Sequence, residues 1–113
     1  MKFKQQIKEL REKTVLLPET FEKYGLVVES IGFSEIEEDS FNVLVEIVSK
    51  KATGIKEDIY IKVNSYDEEG QLFAMAEATL YESSFDGYDT LSLFLHEPEV
   101  LNRVQKLRLY ATR

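Results

Sequence analysis

The sequence predicts a mainly β fold: an antiparallel two-sheet sandwich of six to seven strands, preceded by one amphipathic helix. Two observations carry that expectation. Residues 57–80, EDIYIKVNSYDEEGQLFAMAEATL, hold two alternating runs joined by Asp67-Glu68-Glu69-Gly70. From Gly25 onward, short strand-like runs follow one another with turn residues between them and no long helix, which favours a sandwich or barrel over a βαβ fold.

The N-terminal segment 2–13 reads as a helix. Phe3, Ile7 and Leu10 recur at i, i+4 and i+7, and no Gly or Pro interrupts them. Thr14-Val15-Leu16-Leu17 then leads to Pro18, which biases its predecessor away from helix, so this piece is expected as an extended tether. The chain divides into a helix and tether, 1–24, and a sandwich domain, 25–113. Strands are expected at 26–33, 41–48, 90–95 and 104–112, besides the hairpin pair, with Pro98 able to open one helical turn through Arg103.

The hairpin itself poses a register question. Ile59, Ile61 and Val63 alternate with Tyr60, Lys62 and Asn64, and Asp67 and Gly70 supply turn chemistry. In the next run Leu72, Ala74, Ala76, Ala78 and Leu80 share one face, and Phe73, Met75, Glu77, Thr79 and Tyr81 share the other. Pairing Asp67 with Gln71 sets Val63 against Met75 and Ile61 against Glu77; a one-residue slip exchanges the faces, and a bulge or a crossing to a second sheet would relieve the conflict.

Composition narrows the function classes. At 113 residues the chain is one domain with enough length for a core. No apolar run approaches the roughly 20 residues of a membrane span. Zero cysteines exclude disulfides and thiolate metal sites, and with no apolar segment behind the basic start a secretory signal is not expected, so the cytoplasm is the expected location. The net charge is −7, yet residues 1–13 carry five basic and two acidic residues, a balance of +3 that leaves −10 on the rest. A body this acidic should repel nucleic-acid phosphates and anionic membranes, so neither is expected as a partner.

The strand ending Val63-Asn64-Ser65-Tyr66-Asp67, followed by Glu68-Glu69-Gly70 and an alanine-rich strand, resembles the FxLYD group of bacterial immunoglobulin-like domains, and Lys106-Leu107-Arg108-Leu109-Tyr110 is similar to the last strand of such sandwiches. The likeness covers roughly 25–112 and rests on Tyr66, Asp67 and Gly70, with Val63 and Ser65 standing where the motif has Phe and Leu. It implies an immunoglobulin-like sandwich acting as an accessory or binding module. It brings no catalytic residue and no cofactor.

Candidate sites follow from the remaining residues. His96 beside Glu97 is the one residue suited to general-base work, but no G-x-S-x-G elbow or locally placed serine accompanies it, and a strand-end surface histidine is the simpler reading. If consecutive strands run antiparallel, the loops 34–40, 67–70 and 96–103 share one end, gathering an acidic pole where Asp39, Asp67 and Glu69 offer oxygen ligands for calcium; a solvated, partner-steering surface is the preferred reading. The opposite pole carries Lys50, Lys51 and Lys56 near Phe85 and Tyr88, aromatics that either anchor a partner or lid the core. Tyr60, Lys62, Asn64 and Tyr66 mark a polar sheet face. The Ala74-Ala76-Ala78 row is a candidate seat for the helix stripe Phe3, Ile7 and Leu10, in its own chain or in a symmetric copy.

The function expected from all this is a non-enzymatic protein-interaction or accessory binding module, its partner a protein or a second copy of itself. The alternatives are a small-ligand carrier with an enclosed apolar cavity, or a small hydrolase using His96.

Overall fold

A computed structural model describes residues 2–36, 39–51 and 54–113, the side chains of 2–4 excepted. In chain order the elements are α1 (Lys2–Lys13), β1 (Thr14–Leu16), α2 (Pro18–Glu22), β2 (Leu26–Glu35), β3 (Phe41–Ser49), β4 (Ile59–Tyr66), β5 (Leu72–Leu80), β6 (Tyr88–Leu95), α3 (Val100–Arg103) and β7 (Lys106–Thr112). The strands form a sandwich of two sheets, a four-stranded one in the order β1-β7-β4-β5 and a three-stranded one in the order β2-β3-β6.

Strands β3, β4, β6 and β7 obey the two-residue period, and β2 and β5 depart from it at bulges. Phe41, Val43, Val45 and Ile47 of β3 face Ile59, Ile61 and Val63 of β4 and Leu107 and Leu109 of β7 across the core, and all are buried. Leu91, Leu93 and Leu95 of β6 complete it. The alternate residues point outward and are more exposed.

The partition of strands is that of an immunoglobulin-type sandwich. Strands β2, β3 and β6 stand where A, B and E stand, and β7, β4 and β5 where F, C and C′ stand, with the same antiparallel pairings. The G position beside β7 is filled differently. It holds β1, from the other end of the chain, running parallel to β7 with Thr14, Val15 and Leu16 beside Leu107, Arg108 and Leu109. The expected tether is thus a strand of the sheet.

Between β1 and β2 lies α2, which the sequence reading missed. Pro18 opens it at a position where the absent N–H costs nothing, and the Leu17 carbonyl accepts the Thr20 hydroxyl at 2.7 Å. That hydroxyl in turn accepts the Ala111 N–H at 3.0 Å, and Phe21 is fully buried, so two independent links fix α2 to the body.

The hairpin resolves its register conflict with a bulge. Ile61 pairs with Ala78 and Val63 with Ala76, then the register shifts between Ser65 and Tyr66, where Phe73 is the extra residue. The alanine row therefore faces the core, with Ala74 buried and Ala76 and Ala78 packed against it. This corrects the expectation that the row seats the N-terminal helix. Helix α1 instead sits at the start of β7, beside Leu101 and Val104, with Leu10 only 2% exposed, Ile7 half-buried and Lys13 Nζ donating to the Val104 carbonyl at 3.2 Å. Small side chains inside β5 serve the approach of β6, which packs beside it. Among the described residues no helix is long and apolar enough to cross a membrane.

Candidate functional site

The loops sort to two poles, as antiparallel order requires. At one pole the Leu101 N–H donates to the Asp39 carbonyl at 3.2 Å, the Gln105 N–H to the Tyr66 carbonyl at 2.8 Å, and Arg103 faces Asp67 at 3.9 Å, so the three acidic connections meet. Of their carboxylates, Asp67 is the one built into the fold, while Glu35, Glu68, Glu69, Glu97 and Glu99 are exposed. Asp67 Oδ1 accepts the backbone N–H groups of Glu69 and Gln71, both at 3.0 Å, which builds the turn, while its other oxygen faces Arg103. Gly70 closes that turn with φ +78°. Arg103 also lies over the Phe73 ring at 4.2 Å, tying the bulge to α3.

Of the three residues considered for calcium, Asp67 has its oxygens committed to the turn and to Arg103, and Glu69 is exposed. Asp39 sits at φ 69° with its backbone carbonyl taken by Leu101. Among the described residues no three or more His, Asp or Glu side chains converge as a metal site. His96 and Glu97 are exposed beyond the end of β6. The acidic residues 37 and 38 lie outside the described residues.

The opposite pole is built otherwise. Three segments surround a cleft of about 430 Å³: the turn after α2 (Lys23, Tyr24, Gly25), the end of β3 and its continuation (Ser49, Lys50, Lys51), and the approach to β4 (Gly54, Ile55, Lys56, Glu57, Ile59). Gly25, at φ +74°, makes the turn that brings the first segment alongside the second, and its carbonyl accepts the Lys50 N–H at 2.8 Å. A Cβ on Gly54 would lie 3.0 Å from the Phe85 carbonyl oxygen, so glycine is what allows the third segment to press against the 81–87 loop. Asp58 secures that loop by accepting the Glu82 N–H at 2.8 Å.

Four lysines rim this cleft, all exposed, and Ile55, Ile59 and Tyr24 form its apolar wall. Its one carboxylate, Glu57, is already engaged by Arg113 at 3.3 Å. The ion pairs found among the described residues are this one and Arg103–Asp67; neither uses a cleft lysine. Lys23 lies 5.4 Å from the centre of the Tyr24 ring. A concave site with four ammonium groups, set in a chain of net charge −7, concentrates positive potential where the rest of the surface opposes it. Sequence reasoning found Lys50, Lys51 and Lys56 at this pole but missed Lys23 and Tyr24; the Gly25 turn was the available signal.

The aromatics weighed for this pole take separate roles. Phe85 is 5% exposed and lids the core, which removes it from the expected contact residues. Tyr88 is 55% exposed on the outer face of the three-stranded sheet, where its hydroxyl donates to Glu46 Oε2 at 2.5 Å and Ser30 Oγ donates to Glu46 Oε1. These two bonds, Ser30's first, hold the Glu46 carboxyl below the usual carboxylate range. Ile7 and Leu10 spend their apolar surface against their own domain, and the Phe3 side chain lies outside the described residues.

A third surface is the outer face of the four-stranded sheet. Register places Asn64, Arg108, Met75 and Val15 in one row and Lys62, Tyr110 and Glu77 in the next, with Arg108 over the Tyr66 ring at 5.2 Å. Glu77 opposite Lys62 offsets part of the charge of this face.

No family model matches the chain, and no curated protein matches it. Among solved structures, it is similar to a DUF1425 family member from Shewanella sp. pv-4, at 15% identity over 78% of this chain and 77% of that one, with a TM-score of 0.48. It is also similar to part of a beta-glucuronidase from glycoside hydrolase family 2, at 16% identity over 79% of this chain and 11% of that one, with a TM-score of 0.36.

Proposed function

We propose that the chain is a non-enzymatic protein-interaction module that takes an acidic segment of a partner protein into the lysine-rimmed cleft. The observation that carries this reading is the convergence of Lys23, Lys50, Lys51 and Lys56 on one concavity whose sole carboxylate is held by Arg113. Unpaired surface charge of one sign gathered in a hollow steers and orients an opposite charge, whereas the same lysines dispersed would only solubilise. The apolar wall of Ile55, Ile59 and Tyr24 offers contact to the methylene stems of a Glu- or Asp-rich segment. The resemblance to the FxLYD group, an accessory and binding module by expectation, supports the same class. A nucleic acid is the poorer partner, because its extended backbone would also meet the acidic remainder of the surface.

The test is an NMR titration of the full chain with a synthetic twelve-residue Glu/Asp-rich peptide. Shifts clustered at Tyr24, Gly25, Lys50 and Ile59, weakening as salt rises, are expected. Shifts confined to other surfaces, or none at millimolar peptide in low salt, would contradict the proposal.

A further inference from the structure

The strand slot beside β7 is filled by a segment that reaches it from outside the sandwich, and four observations bear on how firmly that segment belongs to its own copy. Strand β1 has three residues and pairs along one edge, parallel to β7. It carries α1, whose 12 residues cannot hold a helix alone in water and depend on the body they lie against. Just past the slot, Leu17 precedes Pro18 in non-helical backbone, φ −104° and ψ 83°, so the junction between arm and α2 can turn without breaking a helix once the Leu17 carbonyl gives up its bonds to Thr20. Beyond it α2 is locked by buried Phe21 and by Thr20 bonded to Ala111, so any release stops at residue 17.

The side of the sandwich where the arm lies is also the open one. Strands β5 and β6 pack together and close the far side, but β1 and β2 diverge around a hollow of about 360 Å³ walled by Leu16, Val28, Ile31 and Phe33. The bulge between Val28 and Ser30 turns the β2 edge away there. The arm therefore packs fully against β7 and incompletely on its inner face.

We propose that this slot exchanges between copies: residues 2–17 of one copy seat beside β7 of a second, and the second returns its own arm, giving a closed two-fold dimer. The occupant is argued from the slot itself. The contacts that hold the arm in its own chain, Leu10 buried, Leu17 N–H to the Leu109 carbonyl at 3.0 Å and Lys13 to the Val104 carbonyl, form again in a partner, and what is given up is the Leu17–Pro18 junction with the Leu17 carbonyl's bonds to Thr20. Charge favours the same occupant, since residues 1–13 carry +3 and the remainder of each copy −10. This inference is independent of the lysine cleft, which lies on other segments.

The absence of native cysteine makes the test clean. Val15 and Arg108 are register partners and both are exposed, so V15C and R108C leave the core intact. The two single variants are made separately, one with a purification tag, mixed at high concentration, warmed below Tm, cooled and oxidised. A V15C–R108C linked heterodimer in clear excess over the two like-linked dimers is expected, because only a traded arm brings those positions together in different chains. Linked species in the statistical one-to-two-to-one ratio, or no linked species, would overturn the proposal. The V15C/R108C double variant, diluted before oxidation, runs as an internally linked monomer and verifies the register. Light scattering of the unsubstituted chain completes the measurement: a dimer fraction that rises with concentration supports exchange, and a monomer throughout after warming refutes it.

Discussion

The two poles of this sandwich handle charge in opposite ways. At the acidic pole, Asp67 is consumed by the fold: one oxygen organises the β4–β5 turn and the other meets Arg103, which in turn packs on Phe73. At the lysine pole, loop geometry is set by backbone groups and glycines, Lys50 N–H to Gly25 and Gly54 against Phe85, while the ammonium groups take no part in it. The difference separates a carboxylate that builds structure from lysines that the fold leaves unengaged. An abundance of carboxylates drew attention to the first pole; how little of its lysine charge the fold uses gives the second its functional weight.

Mutation of each pole sharpens this contrast. Asp67→Ala removes the acceptor of two backbone N–H groups and the partner of Arg103, and is expected to lower stability by about 1–3 kcal/mol in urea denaturation. Lys50→Ala with Lys51→Ala should stay within about 0.5 kcal/mol, as exposed side chains outside such networks do. Equal losses at both poles would erase the distinction.

A smaller effect of opposite sign is expected at Ser65, at the acidic-pole end of β4. Its side chain is fully buried opposite Ala74 and Leu107, and its hydroxyl finds no hydrogen-bond partner among the described residues. Ser65→Ala removes a desolvated polar group and should raise stability by about 1 kcal/mol, read as a higher urea midpoint at unchanged slope. A loss would mean that the hydroxyl is bonded after all.

The smallest effect concerns Glu46, held by Ser30 and Tyr88. Its carboxyl is lowered in the folded state, so its contribution is fully present above the unfolded carboxylate value of about 4.3 and is lost as pH falls through the lower folded value. Glu46→Gln should lower neutral stability slightly, because the ionised carboxylate's bonds to Ser30 and Tyr88 are lost there, and should flatten the Tm profile below about pH 4.3. An unchanged profile would remove Glu46 from the acid response.

Much of the fold was legible in the sequence because its long strands alternate cleanly. Phe41, Val43, Val45 and Ile47 declare one buried face, Asp67 and Gly70 declare the turn, and the sharing of poles follows from antiparallel order. The helix 2–13 was readable from Phe3, Ile7 and Leu10. What escaped depended on distant partners. Thr14-Val15-Leu16 has strand-forming residues, but three of them are a strand only because β7 offers an edge. The Phe73 bulge is decided by what lies on both faces of β5, so the alanine row could not be assigned a side from its own spacing. The cleft was half visible: Lys50, Lys51 and Lys56 are neighbours in sequence, whereas Lys23 and Tyr24 join them only through the Gly25 turn.

The central claim, that the lysine pole is the partner-binding surface, is tested most directly by comparing two charge reversals in one fluorescence-anisotropy assay with a labelled Glu/Asp-rich peptide. One variant carries Lys50→Glu and Lys56→Glu at the cleft; the other carries Lys62→Glu and Arg108→Glu on the outer face of the four-stranded sheet, with the same change in net charge. Cleft reversal is expected to weaken binding at least tenfold, about 1.4 kcal/mol, while face reversal stays within about threefold. Equal weakening by the two variants, or a larger loss from the sheet face, would contradict it.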